Sequence, residues 1–179
     1  MPRKDTDIEK RAKLIIKYRK MRVRKREKNE DIIKYSLLKD DKKYVMQCIS
    51  NQRNVGIAYV RDLRDIVGEA DAEGGIILTD SKYTWSARHN APRLNIELIP
   101  RTIPTFDIFR HKLVPSGELL SKEEKDAVVE KYHAKPYQFP WMKSKDPISI
   151  ILGAKSGDIV RFTSESRTAG TSVSYRYVS

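Results

Sequence analysis

The sequence predicts an α/β protein: a basic N-terminal helix, an alternating strand–helix unit, and a small C-terminal α/β module. Two observations predict it. Over residues 31–99, apolar runs follow strand, helix, strand, helix and strand spacing, which implies a parallel or mixed sheet with right-handed crossovers. Over residues 111–179, nearly every landmark is a helix cap, a turn or a strand start. A chain of 179 residues, 39% hydrophobic and 34% charged, has enough apolar content for a core and too much for a disordered chain.

From residue 5 to about residue 28 the chain lacks glycine and proline and is rich in helix formers. Ile8, Ala12 and Ile15 fall at i, i+4 and i+7, as do Leu14, Tyr18 and Met21, so the spacing predicts a helix packed through its first half. Its second half would offer Arg22, Arg24, Lys25, Arg26 and Lys28 to solvent or phosphate. Residues 32–38 and 44–49 read as strands joined across Lys39-Asp40-Asp41-Lys42. Tyr59, Leu63, Ile66 and Val67 give residues 55–67 helical spacing. Gly74-Gly75 leads into a short buried strand at 76–79. A second helix follows at about 83–90, then a half-exposed strand with Ile96 and Leu98 on one side, ended by Pro100.

Residues 100–104, with two prolines, mark a boundary that divides the chain into segments 1–30, 31–104 and 105–179. Beyond it, Ser121 and Glu124 form a capping box for a helix through Val128, Val129 and Tyr132. Asp146 caps a short helix with Pro147 at its first position, and Gly153 ends it. Gly157-Asp158 turns into a strand at 159–163. A loop ending at Gly170 leads to a strand at 171–178 with Val173, Tyr175 and Tyr177 on one face.

Charge narrows the function. Residues 1–30 hold 13 Lys/Arg against 5 Asp/Glu, residues 31–105 hold 11 against 10, and residues 106–179 hold 12 against 9, for a net +12. A localised basic segment is the footprint of a polyanion contact, because neutralised phosphates release counterions. Nucleic acid is therefore the leading partner, with a simply solvated basic helix as the alternative. The single cysteine, Cys48, excludes an internal disulfide and reads as a small hydrophobe on a buried strand. The longest apolar stretches, such as residues 148–154, are too short to cross a bilayer, and the start carries no secretory signal, so a cytoplasmic location and no membrane partner are expected. His89, His111 and His133 lack ligand spacing, and Gly74-Gly75 precedes a strand rather than forming a phosphate loop. Trp85 and Tyr83 read as a nucleic-acid stacking patch or, more commonly for aromatics, as helix packing.

Five motifs recur through the last third: His111-x-Leu113-Val114-Pro115, Asp146-Pro147, Leu152-Gly153-x-Lys155-x-Gly157-Asp158-x-Val160, Thr168-Ala169-Gly170 and Tyr175-Arg176. In this order and spacing they resemble a family of small archaeal RNA polymerase subunits, the one that matches the assembly domain of the fifth subunit shared by eukaryotic nuclear polymerases. The resemblance implies a small α/β fold that docks on the largest polymerase subunit and performs no chemistry. Two positions depart from the family: Phe139-Pro140-Trp141-Met142 replaces Leu-Pro followed by arginine and an aliphatic residue, and Ser164 stands where arginine is usual.

The middle carries a second set: Lys43-Tyr44-Val45-Met46-Gln47-Cys48, Asn54-Val55-Gly56, Val60-Arg61-Asp62-Leu63, Gly75-Ile76-Ile77-Leu78-Thr79 and Leu94-Asn95-Ile96-Glu97-Leu98. These resemble Mrr-type restriction endonuclease domains. Such enzymes hold a divalent metal with an Asp on one strand and a Glu or Gln, then a Lys, on the next, and so activate the attacking water. Gln47 is present, but the lysine position is Ile49, and residues 32–36 offer no carboxylate. The resemblance implies the fold without its chemistry, as a restriction-endonuclease-like jaw domain of the kind that lies beside downstream DNA in the eukaryotic fifth subunit.

The expectation is a non-catalytic subunit of an archaeal DNA-directed RNA polymerase, with no catalytic residue, metal or cofactor of its own. The resemblance makes His111, Leu113, Val114, Pro115, Asp146, Pro147, Gly153, Gly157, Asp158, Thr168, Ala169, Gly170, Tyr175 and Arg176 the motif of the module that docks on the largest subunit, and so on the rest of the polymerase; most of them make the fold and only some touch the partner. Charge assigns non-specific phosphate contacts to Arg22, Arg24, Lys25, Arg26 and Lys28, and the jaw-domain resemblance implies downstream duplex DNA as their partner. Two other readings stand beside it: an Mrr-like metal-dependent endonuclease, and a stand-alone basic DNA-binding protein.

Overall fold

Thr6 opens the first helix, α1 (Asp7–Tyr18), with a capping box: its hydroxyl accepts from the Glu9 N–H, and the Glu9 carboxylate accepts from the Thr6 N–H. The structure is a computed structural model that describes residues 6–166 and 170–179. The chain divides between Thr105 and Phe106 into two units.

In the first unit, α1 is followed by β1 (Arg22–Lys28), β2 (Ile32–Lys39), β3 (Lys42–Ile49), β4 (Asn54–Val55), α2 (Ile57–Glu69), β5 (Gly74–Thr79), β6 (Lys82–Tyr83), α3 (Trp85–Asn90) and β7 (Ile96–Ile99). The main sheet has the order β1-β2-β3-β5-β7, antiparallel through β1, β2 and β3 and parallel through β3, β5 and β7. It is mixed for a local reason. Asp40 and Asp41, at φ 47° and 62°, form the tight turn of a hairpin between Lys39 and Lys42. The crossovers through α2 and α3 then keep β3, β5 and β7 parallel.

The helix expected as far as Lys28 ends at Tyr18, and its basic half is strand β1. Lys20, at φ 56°, turns the chain out of the helix, and Arg22–Lys28 then pair with Ile33–Leu38. Beyond Met21 the segment has no apolar face at helical spacing to hold it down, whereas the open edge of β2 supplies backbone hydrogen bonds. A row of charges on the outermost strand also blunts that edge against further strand pairing.

Side-chain alternation gives the sheet two apolar faces. Val45, Ile49, Ile77 and Ile96 pack with Val55, Val60, Leu63 and Tyr83 on the side covered by α2 and α3. Gly75 makes that approach possible: a Cβ there would meet Leu63 side-chain atoms at 2.7 and 2.9 Å. Met46, Cys48, Ile76 and Leu78 alternate to the other side, where α1 packs on β3 and β5 and buries Ile8, Ala12 and Ile15. Burial of the Cys48 thiol pushes its pKa up to about 12, so it stays protonated and inert.

The second unit runs through a 3-10 turn (Ile108–Arg110), β8 (Ser116–Leu119), α4 (Lys122–Lys131), β9 (Trp141–Met142), α5 (Pro147–Leu152), β10 (Ile159–Ser166) and β11 (Gly170–Val178). Its sheet order is β8-β10-β11-β9, with only the β11–β9 pair parallel. The local signals act as their chemistry dictates. Ser121 and Glu124 form the capping box of α4. Asp146 accepts from the Ile148 N–H at the head of α5, and Gly153, at φ 74°, closes it in the left-handed conformation. Leu120, Val128, Phe139 and Ile159 form a core against which Tyr175 and Tyr177 lean.

Candidate functional site

Three groups of residues bear on function, and the nuclease positions come first. The antiparallel register sets Ile32 opposite Ile49 and Lys34 opposite Gln47, with all four side chains on the α2 side of the sheet. The place of a metal-holding carboxylate is therefore taken by isoleucine and lysine, and the place of the catalytic lysine by isoleucine. Ile49 is 0% exposed and sits among Val45, Val55, Val60, Leu63 and Ile77. Gln47 is buried beside it. Among the described residues, no group of three or more His, Cys, Asp or Glu side chains is clustered to hold a metal ion.

The basic residues form the second group, and the structure separates them by face. Val23, Arg26 and Lys28 stand opposite Leu37, Tyr35 and Ile33, on the α1 side of the sheet. Arg22, Lys25 and Glu27 stand opposite Leu38, Ser36 and Lys34, on the other side, and a bulge leaves Arg24 without a register partner. Arg26 donates to the buried Glu9 carboxylate and lies 5.7 Å from the centre of the Tyr35 ring. Lys28 Nζ reaches the same carboxylate at 3.2 Å. Lys25 pairs with Glu27 at 2.6 Å. Arg22 and Arg24 are exposed and make no ion pair among the described residues. Of the five expected phosphate contacts, two thus hold β1 to α1, one is shared with a neighbour, and two are unengaged.

Glu9 is the hinge of this arrangement, and sequence spacing gave no sign of it. The Thr6 N–H, then Lys28 and Arg26, hold its carboxyl below the usual glutamate range against the opposing effect of burial. A depressed folded-state pKa contributes stability that is fully present above the unfolded value and lost as pH falls through the folded one. Glu9→Gln is therefore expected to lose about 1–3 kcal/mol at neutral pH and to lose less than the parent on acidification. Urea unfolding between neutral and acid pH checks this; parallel curves for the two proteins would refute it. Arg11 extends to Asp80 at 2.5 Å and Arg19, 6% exposed, clasps Glu97 with two bonds of 2.6 and 2.7 Å.

The third group is the set of C-terminal motif residues for which docking is expected. His111 Nδ1 accepts from the Leu113 N–H at 3.2 Å, and the Val114 N–H donates to the His111 carbonyl at 2.9 Å. The imidazole thus shapes a turn that leaves Leu113 84% exposed. Asp158 accepts from the Lys155 N–H, and Gly157, at φ 99°, takes a conformation that side chains disfavour while its N–H donates to the Val178 carbonyl. Asp146, Pro147 and Gly153 set the two ends of α5. Tyr175 packs edge-on to Tyr132 and Phe139, while the Arg176 guanidinium lies 6.0 Å from the Phe162 ring centre. Pro115 is half-buried ahead of β8, and Gly170, at φ 67°, begins β11. Thr168 and Ala169 lie outside the described residues. At the position where the family has arginine, the Ser164 hydroxyl meets that of Ser172 across the hairpin at 2.7 Å.

Comparison with known proteins matches each unit separately. Residues 106–178 match the family described as RNA polymerase Rpb5, C-terminal domain, and residues 10–103 match the family described as restriction endonuclease. DNA-directed RNA polymerase subunit Rpo5 of Pyrococcus abyssi is 49% identical over 73 residues, covering 41% of this chain and 89% of the relative. Its counterpart from Sulfolobus acidocaldarius is 46% identical over 72 residues, covering 40% of this chain and 86% of the relative. Among solved structures, EndoMS in apo form aligns with a TM-score of 0.38 and 19% identity, over 53% of this chain and 46% of that one.

Proposed function

This chain belongs to the RNA polymerase Rpb5 C-terminal family and to the restriction endonuclease family, and on that premise we propose that it is a non-catalytic subunit of an archaeal DNA-directed RNA polymerase. The observation that carries this is the near-complete coverage of archaeal polymerase subunits named Rpo5 by one unit of the chain. In this reading the second unit seats the chain on the largest polymerase subunit. The first unit, a restriction-endonuclease fold whose reactive positions hold Lys34 and Ile49, meets downstream duplex DNA through its phosphates. The complex works in the cytoplasm, and among the described residues no helix is long and apolar enough to cross a membrane. Tagging the full chain in its native host is expected to recover the polymerase subunits in stoichiometric amounts; recovery of the chain alone would overturn the reading.

The duplex contact has its own test. Removing residues 1–30 is not informative, because Ile8, Ala12 and Ile15 belong to the core. Arg22→Gln, Arg24→Gln and Lys25→Gln together leave that core untouched. The triple variant is expected to weaken duplex binding and to lower the slope of log affinity against log salt by about 2–3, roughly 0.9 per lost phosphate contact. An unchanged slope would remove β1 from the interface.

A further inference from the structure

We propose that the loops at the carboxyl ends of β3 and β5 form a binding site for single-stranded nucleic acid, with Trp85 as a base-stacking platform and Arg53 and Lys82 as phosphate contacts. The proposal goes beyond the duplex contact on β1 and stands on different residues.

The site begins with two short strands. β4 and β6 pair in parallel, Asn54 beside Lys82 and Val55 beside Tyr83, and the Ser81 hydroxyl donates to the Gln52 carbonyl. Arg53 immediately precedes β4 and Lys82 opens β6, both exposed and neither ion-paired among the described residues. The next residue anchors them. Tyr83 is buried, with its hydroxyl 2.9 Å from the carbonyl oxygens of both Ile77 and Ile99. Sequence spacing grouped Tyr83 with Trp85, but the structure gives them opposite roles: Tyr83 fixes the base of the loop, and Trp85 stands out from it at 76% exposure.

Trp85 is not loose. Its ring stacks on that of His89 one helical turn along, with centroids 5.0 Å apart and planes within 7°. Thr84 caps the helix through the Ala87 N–H, and the Arg88 guanidinium donates to the Tyr83 carbonyl, so the platform is set before any ligand arrives. One indole face is occupied by His89, and the other is free for one flat ring.

The surroundings select the ligand. A protein hot spot needs a water-excluding rim around its aromatic anchor, but Trp85 shares its short helix with Ser86, Arg88 and Asn90, and that helix leaves the paired β4–β6 segment at which Arg53 and Lys82 sit. An aromatic face beside unpaired cations fits a base with its phosphates. Bases inside a duplex already stack on both faces, so the base that fits is an unpaired one.

The test uses the full chain, a fluorescent oligothymidine and a duplex of equal length. Trp85→Ala is expected to weaken single-strand binding about tenfold while leaving duplex binding unchanged. Trp85→Phe should retain most of the affinity, which separates stacking from misfolding. In a Trp141→Phe background, oligothymidine should quench the remaining tryptophan emission. Arg53→Gln with Lys82→Gln should lower the single-strand salt slope by about 1.4, for two phosphates at roughly 0.7 each. Equal single-strand affinity of parent and Trp85→Ala, or equal losses for single strand and duplex, would overturn the proposal. So would a Trp85→Ala variant that binds oligothymidine normally but recovers fewer polymerase subunits, since the surface would then be a protein contact. A failure here leaves the polymerase assignment standing, because that assignment is read from subunit recovery.

Discussion

Ile49→Lys, which restores the residue type that a nuclease of this fold requires, is expected to cost the first unit about 3–5 kcal/mol and to leave plasmid DNA uncut. The lysine would enter an apolar cluster of Val45, Val55, Val60, Leu63, Ile77 and Tyr83. Burying an ammonium without a partner depresses its pKa, so at neutral pH the unfolded chain binds the proton more tightly than the folded one. Stability of the variant should therefore rise as pH climbs towards the free lysine value near ~10.4. Ile49→Met, which keeps volume and polarity, should cost less than about 1.5 kcal/mol. Lys34 adds a second obstacle, since it stands on the facing strand beside Gln47 where a metal would need a carboxylate. Incubation with magnesium or manganese is expected to leave plasmid intact for the parent and both variants. EDTA-sensitive cleavage by a stably folded Ile49→Lys protein would show that the nuclease site is one substitution from function.

On the proposed docking role of its turn, Leu113→Asp is expected to reduce recovery of the polymerase about 30-fold or more, the size of loss that an interface anchor gives, while leaving the chain's own stability within about 0.5 kcal/mol. The contrast arises because Leu113 is 84% exposed and contributes little to its own unit's core. Its position is nonetheless fixed: the His111 imidazole accepts from its N–H, and the Val114 N–H returns to the His111 carbonyl. A large apolar side chain held open by a preformed turn is suited to a socket on a partner, since little ordering is left to pay at binding. His111→Ala should give a smaller loss by loosening the turn and keeping the anchor. Unchanged recovery of polymerase subunits by Leu113→Asp would take this turn out of the interface.

What the sequence made legible is what local chemistry decides. The Ser121–Glu124 box, the Asp146-Pro147 start and the Gly153 stop each act within a few residues, and each is where spacing put it. The hairpin across Asp40-Asp41 and the buried strand after Gly74 were equally readable. β1 was not, because Arg22–Lys28 has good helix propensity and only the edge of β2, a tertiary feature, makes it a strand. The split between Tyr83 and Trp85 was hidden for a related reason: adjacent aromatics look alike until the carbonyls of Ile77 and Ile99 claim one of them. Spacing did not single out Glu9, Arg11 and Arg19, since their partners on β1, just beyond β5 and on β7 are distant in sequence. Ile49 shows the opposite case, where one residue's chemistry sufficed to argue against catalysis before its burial was known.

The clasp between Arg19 and Glu97 joins residues 78 positions apart, and that between Arg11 and Asp80 joins residues 69 apart. On a ribosome adding roughly 5–20 residues per second, α1 would be synthesised about 4–16 s before β7. Throughout that interval the helix has no completed sheet to lie on, and Ile8, Ala12 and Ile15 face water or a chaperone. A helix made before the strands that cover it is thus among the last elements of its unit to settle, and the speed of translation becomes a determinant of yield.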